Sequence, residues 1–199
     1  MTVRIGLGAV AVLVAVAMAG CSTTTDGGHA DPQPSTSGSA SPTVSRPKDL
    51  KIANVDPCTL LTDAQLTQMG ITHKSPGPGH PEGGSTTSCS YTVNQPAVYG
   101  LNVSLDIKRG VESWLGGAYE GQDVRQLSVQ SYPAAQTLLI NEKFSDPYAT
   151  ACSTFVSTAD GQELNVAITQ TTNGLSTTQM CDLSKQAAGL AFTTLQANQ

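Results

Sequence analysis

Residues 151–170 read ACSTFVSTADGQELNVAITQ, two runs rich in β-branched and small residues on either side of Asp160-Gly161. Asp-Gly between alternating runs is a strong short-range hairpin signal, because the glycine accepts a positive φ that other residues resist. The pattern predicts antiparallel strands over Ala151–Thr158 and Glu163–Gln170, joined by Ala159-Asp160-Gly161-Gln162. An adjacent antiparallel pair with so short a link argues against a βαβ crossover, which needs a dozen or more connecting residues.

Working upstream, Leu101, Val103, Leu105 and Ile107 alternate with Asn102, Ser104, Asp106 and Lys108, which predicts a strand with one buried face. Val124–Val129 and Gln136–Ile140 read as two more strands meeting at Ser131-Tyr132-Pro133, and CSYTV begins another at Cys89. Val111–Gly116, around Trp114, reads as a short helix, and the Gly- and Pro-rich stretch from His73 to Ser88 as a loop.

Both ends of this series are helical. Thr62-Asp63-Ala64-Gln65 has the form of a capping box, and Leu61, Leu66 and Met69 supply a stripe, so a helix is expected over Pro57–Met69 with Gly70 ending it. Ser176 with Gln179 makes a second capping box. Met180, Leu183, Ala187, Leu190, Ala191 and Leu195 then recur at helical spacing, predicting a helix over Thr177–Leu195. The expected class is α+β: an antiparallel meander sheet with N-terminal and C-terminal helices packed on it.

The chain has 199 residues and opens with a short basic start containing Arg4, an apolar run from Ile5 to Met18, and the small pair Ala19-Gly20 before Cys21. That is the layout of a signal peptide, and the apolar run is shorter than the roughly 20 residues needed to span a hydrocarbon core. Met18-Ala19-Gly20-Cys21 resembles the lipobox of bacterial lipoproteins, with Met in the usual Leu position. In those proteins the cysteine thiolate takes a diacylglyceryl group and becomes the N-terminus after cleavage. Cys21 is thus the expected lipid-attachment residue. Acyl chains such as palmitate, at about 0.8 kcal/mol per buried CH₂, would hold the protein on the outer face of the cell membrane.

The expected division is a signal peptide over 1–20, a disordered Ser/Thr/Pro/Gly tether over 21–48 and one α+β domain over 49–199. From Ser22 to Ser45 the only branched aliphatic residue is Val44, too little apolar surface to offset the entropy of ordering. Some 30 flexible residues set a domain roughly 30 Å from the lipid surface. The same Ser and Thr density suits O-glycosylation, though plain solvation explains it equally well. The domain is of a size for one core.

The formal charge of −5 becomes −6 once Arg4 leaves, and no basic patch or interleaved aromatic stripe accompanies it, which disfavours nucleic acid. Beyond Cys21 the cysteines number four, Cys58, Cys89, Cys152 and Cys181, an even set suited to disulfides in an oxidising compartment. Three connectivities are open. Cys58 with Cys89 and Cys152 with Cys181 is favoured, since each pair then staples a helix to a neighbouring strand. Zinc is disfavoured, because no Cys-x-x-Cys pair occurs.

Residues that could carry chemistry are sparse. Of three histidines, His29 lies in the tether, and His73 and His80 lie in or beside the Gly- and Pro-rich loop with Glu82. That loop does not preorganise metal ligands. No Gly-x-Ser-x-Gly elbow occurs. Gly83-Gly84-Ser85 lacks the Lys-Ser or Lys-Thr of a phosphate loop. Asp106, Glu112, Glu120 and Asp123 could be paired acids, but their positions at element ends read as solvated surface charges. Asn102-Val103-Ser104 matches a glycosylation sequon inside a strand, where it reads as chance. Trp114 and Tyr119 are the candidate ligand-binding residues, as aromatics that could line a cavity between sheet and helix; plain core packing is the favoured alternative. No catalytic residue, metal site or cofactor is expected.

DPCTLL at 56–61, the short helix ending at Gly70, Cys-x-Tyr at Cys89, Tyr-Pro-Ala at Tyr132, the Cys152 strand and Cys181 opening a terminal helix together resemble the actinobacterial lipoproteins grouped as domain of unknown function 3558. The likeness covers most of the expected domain. It implies an exported, lipid-anchored protein and a sheet-and-helix fold similar to Mog1 and PsbP, with no catalytic residues. Tyr91 stands where relatives often carry Trp, and Ser131 where Gly is common. The functional expectation is a non-enzymatic binding or interaction module, monomeric and held to the membrane by its lipid, facing an unknown envelope protein or ligand. The alternative is a carrier or sensor of a small apolar or lipid ligand.

Overall fold

The structure, a computed structural model, describes residues 44–78, 87–94 and 97–199. Cys21, His29, His80, Glu82 and Gly83-Gly84-Ser85 lie outside the described residues. Seven strands form one antiparallel sheet: β1 (Ile71–Pro78), β2 (Thr87–Val93), β3 (Tyr99–Asp106), β4 (Val124–Val129), β5 (Tyr132–Leu138), β6 (Ala151–Ala159) and β7 (Gln162–Thr169). Their order across the sheet is β1-β2-β3-β7-β6-β5-β4. Two meanders, β1–β3 and β4–β7, run inward from opposite edges and meet where β3 pairs with β7. The α+β expectation holds, and so does the hairpin: Ala159 pairs with Gln162 across Asp160-Gly161, with Gly161 at φ +64°.

The N-terminal helix is broken. A 3₁₀ turn, Pro57–Thr59, is separated from α1 (Asp63–Gln68) by Thr62, whose extended backbone starts the second segment. The capping box is present: Thr62 Oγ1 accepts from Gln65 N, and Gln65 Oε1 accepts from Thr62 N. The loop expected from His73 to Ser88 is replaced at its start by β1, which pairs with β2 along most of its length. Pro76 and Pro78 lack an N–H to donate, and a sheet edge is where such residues are tolerated. The expected Gln136–Ile140 strand begins four residues earlier and ends at Leu138. Gln130 and Ser131 both take positive φ, 49° and 69°, in a two-residue turn usually made by Asn-Gly.

Strand alternation sends Leu101, Val103, Leu105, Cys152, Val156, Leu164, Val166 and Ile168 to one face, where α3 (Thr177–Ala197) lies. Ser176 caps α3 in the expected box with Gln179. The helix buries Met180, Ala187, Ala188, Ala191, Phe192 and Leu195 against that face. Several buried polar groups here pair with one another. Gln136 Nε2 donates to Cys181 O at 2.8 Å and Thr154 Oγ1 at 3.0 Å, and Ser184 Oγ bonds Thr154 Oγ1 at 2.7 Å and Val166 O at 2.8 Å. Disulfides join Cys58 to Cys89 and Cys152 to Cys181, with Cα–Cα distances of 5.0 and 5.2 Å, so the favoured pairing is the one observed. No described helix is long and apolar enough to cross a membrane.

The opposite face carries the other phase of the alternation. Val111, Trp114, Ala135 and Phe155 form a small second cluster there under α2 (Val111–Leu115). Val44 packs against this cluster. Arg46, with its side chain 7 % exposed, bonds Asp49, Glu112, Ser157 Oγ and Asp160. Packing therefore begins within the stretch read as tether, because Val44 finds an apolar patch and Arg46 finds three carboxylates.

Candidate functional site

The second face is built around Trp114. α2 starts at Gly110 with no side-chain cap. A side chain at Gly110 would bring its Cβ within 3.1 Å of Gly161 Cα and closer still to the Glu112 carboxylate, so the helix start meets the hairpin tip backbone to backbone. That approach turns Val111 and Trp114 onto the sheet. The indole is stacked between Tyr119 and Phe155, each with its ring centroid 4.1 Å away.

Beneath the indole lies a buried ionic group. Glu163 has no solvent exposure. It accepts hydrogen bonds from Trp114 Nε1 at 3.0 and 3.2 Å and from Arg109 Nε at 3.1 Å. Arg109 also donates to Tyr119 Oη at 3.2 Å and lies 4.9 Å from the Trp114 ring centroid. Asp106, also buried, accepts from the backbone N–H of Lys108 and Arg109 and sits 3.7 Å from Arg109 Nε. Two carboxylates share one guanidinium. Burial pushes the Glu163 carboxyl up to about 8, against the pull of Arg109 and of the Trp114 hydrogen bond, while Asp106 adds to the rise. Burial works against charge on Arg109, but Glu163, Tyr119 and Asp106 outweigh it and hold the guanidinium above its ordinary value. Glu163, at the centre of the group, is closed to solvent, and its hydrogen bonds fix the indole.

Next to it a cleft of about 360 Å³ opens, lined by Trp114, Phe155, Ala151 and Leu138–Ile140, with Gln122, Thr137 and Ser153 as its polar members. Thr137 and Ser153 are a cross-strand pair. Leu139 and Ile140, at 50 % and 61 % exposed, stand at the rim as two of the large apolar side chains left in water. The volume falls at the small end of ligand pockets.

Of the two aromatic candidates, Trp114 lines the cleft; Tyr119 does not, and stacks on the indole while accepting from Arg109. The four acids do not converge as a catalytic pair would. Asp106 is a buried ion-cluster member rather than a surface charge, because α2 covers that end of the sheet. Glu112 bonds Arg46, Asp123 accepts from Phe144 N, and Glu120 is exposed. His73 is exposed on β1. Among the described residues no three His, Cys, Asp or Glu side chains are grouped as metal ligands.

Arg109, Glu163, Gln122, Thr137 and Ser153 were not legible as site residues, since each sits in a polar phase or a loop that ordinarily faces water. One signal was present. The polar phase of the central strands carries Ser, Thr, Asn, Gly and Ala far more often than charge, as in Gly100, Asn102, Ser104, Asn165, Ala167 and Thr169. A fully solvated face is richer in charged side chains.

No curated protein and no solved structure matches this chain, so the likeness to Mog1 and PsbP has no matching structure behind it. A family described as protein of unknown function, DUF3558, matches over residues 16–194. That span takes in every strand and nearly all of α3, and the chain belongs to the DUF3558 family.

Proposed function

We propose that this is a lipid-anchored cell-envelope lipoprotein, attached through Cys21 on the extracytoplasmic face, that acts as a non-enzymatic binding module. The observation that carries the reading is the position of the cleft. Val44, where the lipobox-bearing segment enters the domain, packs against the small apolar cluster to which Trp114 and Phe155, two walls of the cleft, belong. The segment that follows Cys21 therefore joins the domain on the face that carries the cleft. Of the two forms such a module can take, docking of an envelope protein or carriage of a small apolar ligand, the cleft favours the second, since its walls are aromatic and aliphatic and its volume suits a small molecule.

The anchor is tested by replacing Cys21 with alanine. The native chain is expected in the membrane fraction and to incorporate labelled palmitate, and the Cys21→Ala chain to do neither. Retention of the variant in the membrane fraction, resistant to carbonate washing, would remove lipidation from the reading. Carriage is tested by native mass spectrometry of protein drawn gently from its envelope: a small apolar adduct supports it, and a uniformly bare mass speaks for protein docking instead.

A further inference from the structure

Resting on the reading of the Trp114 cleft as a ligand site, we infer that its occupant is a neutral, single-chain amphiphile with a hydroxyl, amide or ester head, and not a fatty-acid anion or an organic cation. The body of the cleft is carbon: Trp114, Phe155, Leu138 and Ala151. Its polar groups are all uncharged. The Thr137 and Ser153 hydroxyls sit side by side on paired strands, with no hydrogen-bond partner among the described residues. Gln122 Oε1 is buried at the edge with no hydrogen-bond partner, an acceptor that a ligand donor satisfies once the amide turns toward it.

The charges set against the indole are already engaged. Arg109 is held by Glu163, Asp106 and Tyr119, and the indole N–H by Glu163, so neither is free to meet a carboxylate. Among the described residues no Asp, Glu, Lys, Arg or His lines the cleft. An ion taken out of water there would go unpaired, at far greater cost than a hydroxyl that finds hydrogen bonds. The volume of about 360 Å³ suits one short chain and not the paired chains of a whole phospholipid.

The chain has one tryptophan, so its fluorescence reports on the cleft. Decan-1-ol, decanoate and decylammonium are titrated at pH 7, with bound masses read by native mass spectrometry. Decanol is expected to saturate the signal, and each ion to bind at least about tenfold more weakly, a gap of about 1.4 kcal/mol. Ser153→Phe, which fills the cleft, is expected to abolish decanol binding with an unchanged far-ultraviolet spectrum. The near-isosteric Thr137→Val, which preserves packing, is expected to weaken decanol several-fold. Decanoate or decylammonium binding as tightly as decanol overturns the head-group assignment and leaves the cleft as a ligand site. Binding of no probe, or unchanged binding in a folded Ser153→Phe chain, removes the cleft as a ligand site and the carriage reading with it.

Discussion

Replacing Arg109 with methionine is expected to destabilise the domain by about 3 to 5 kcal/mol at pH 9, the cost of leaving a buried charge without its partner. At pH 5 the loss should shrink to about 1 to 2 kcal/mol, roughly that of the missing hydrogen bonds and ring contact. The difference follows from Glu163. Its carboxyl titrates near 8 in the folded protein and near 4.5 when unfolded. Between those values the folded state holds more protons at this site, so the stability that Glu163 contributes is full below 4.5 and is lost as pH rises toward 8. Without Arg109 the carboxyl must either keep its proton at higher pH or sit charged against the indole, and both penalties grow with alkalinity.

The companion Glu163→Gln keeps an acceptor for Trp114 Nε1 and removes the titration. Its stability should be nearly flat from pH 5 to 8, where the native protein's declines. Urea unfolding followed by Trp114 fluorescence at both ends of the range is the measurement. An Arg109→Met loss of the same size at pH 5 and pH 9 would show that Glu163 stays ionised throughout and that the buried group is an ordinary salt bridge.

Removing the Cys152–Cys181 disulfide by double substitution to alanine is expected to cost about 3 to 4 kcal/mol, the chain-entropy value for a loop of this length. The bridge closes a sequence separation of 29 and ties the first turns of α3 to β6. Its neighbourhood carries further weight. Cys181 O accepts from Gln136 Nε2, so a shift of α3 unpairs a buried amide that also bonds Thr154. A larger loss than for Cys58–Cys89, which closes 31 residues of separation between a 3₁₀ turn and β2, is therefore expected. Denaturant midpoints of the two double variants decide it. A loss below about 1 kcal/mol for Cys152–Cys181 would mean that α3 packing alone sets its position.

The architecture was largely legible because its signals are local. Asp160-Gly161 and the two capping boxes each specify a backbone conformation within four residues, and each is found in place. What could not be read depends on contacts distant in sequence. β1 carries two prolines and becomes a strand only because β2 lies beside it. Gln130-Ser131 makes its turn without the residues that usually mark one. The α3 face was visible as apolar alternation. The second face was hidden, since Glu163 and Ser153 occupy phases that read as solvent-facing until α2 and Val44 are laid over them. Trp114 was visible as a lone large aromatic, but its stacking between Tyr119 and Phe155 was not.

The junction of β3 with β7 divides the molecule into two halves, and each disulfide lies wholly within one of them. In a chain that emerges N-terminus first, Cys58 and Cys89 can be oxidised while Cys152 and Cys181 have yet to appear, and no correct bridge has to wait for the far half. The order of emergence alone thus steers away from the two mispaired isomers. The junction itself has no covalent lock: seven pairs of residues from Gly100↔Thr169 to Asp106↔Glu163 hold it by hydrogen bonds and packing. Two copies that opened there could trade halves with all four cysteines correctly paired, a swapped dimer that reducing agents would not resolve.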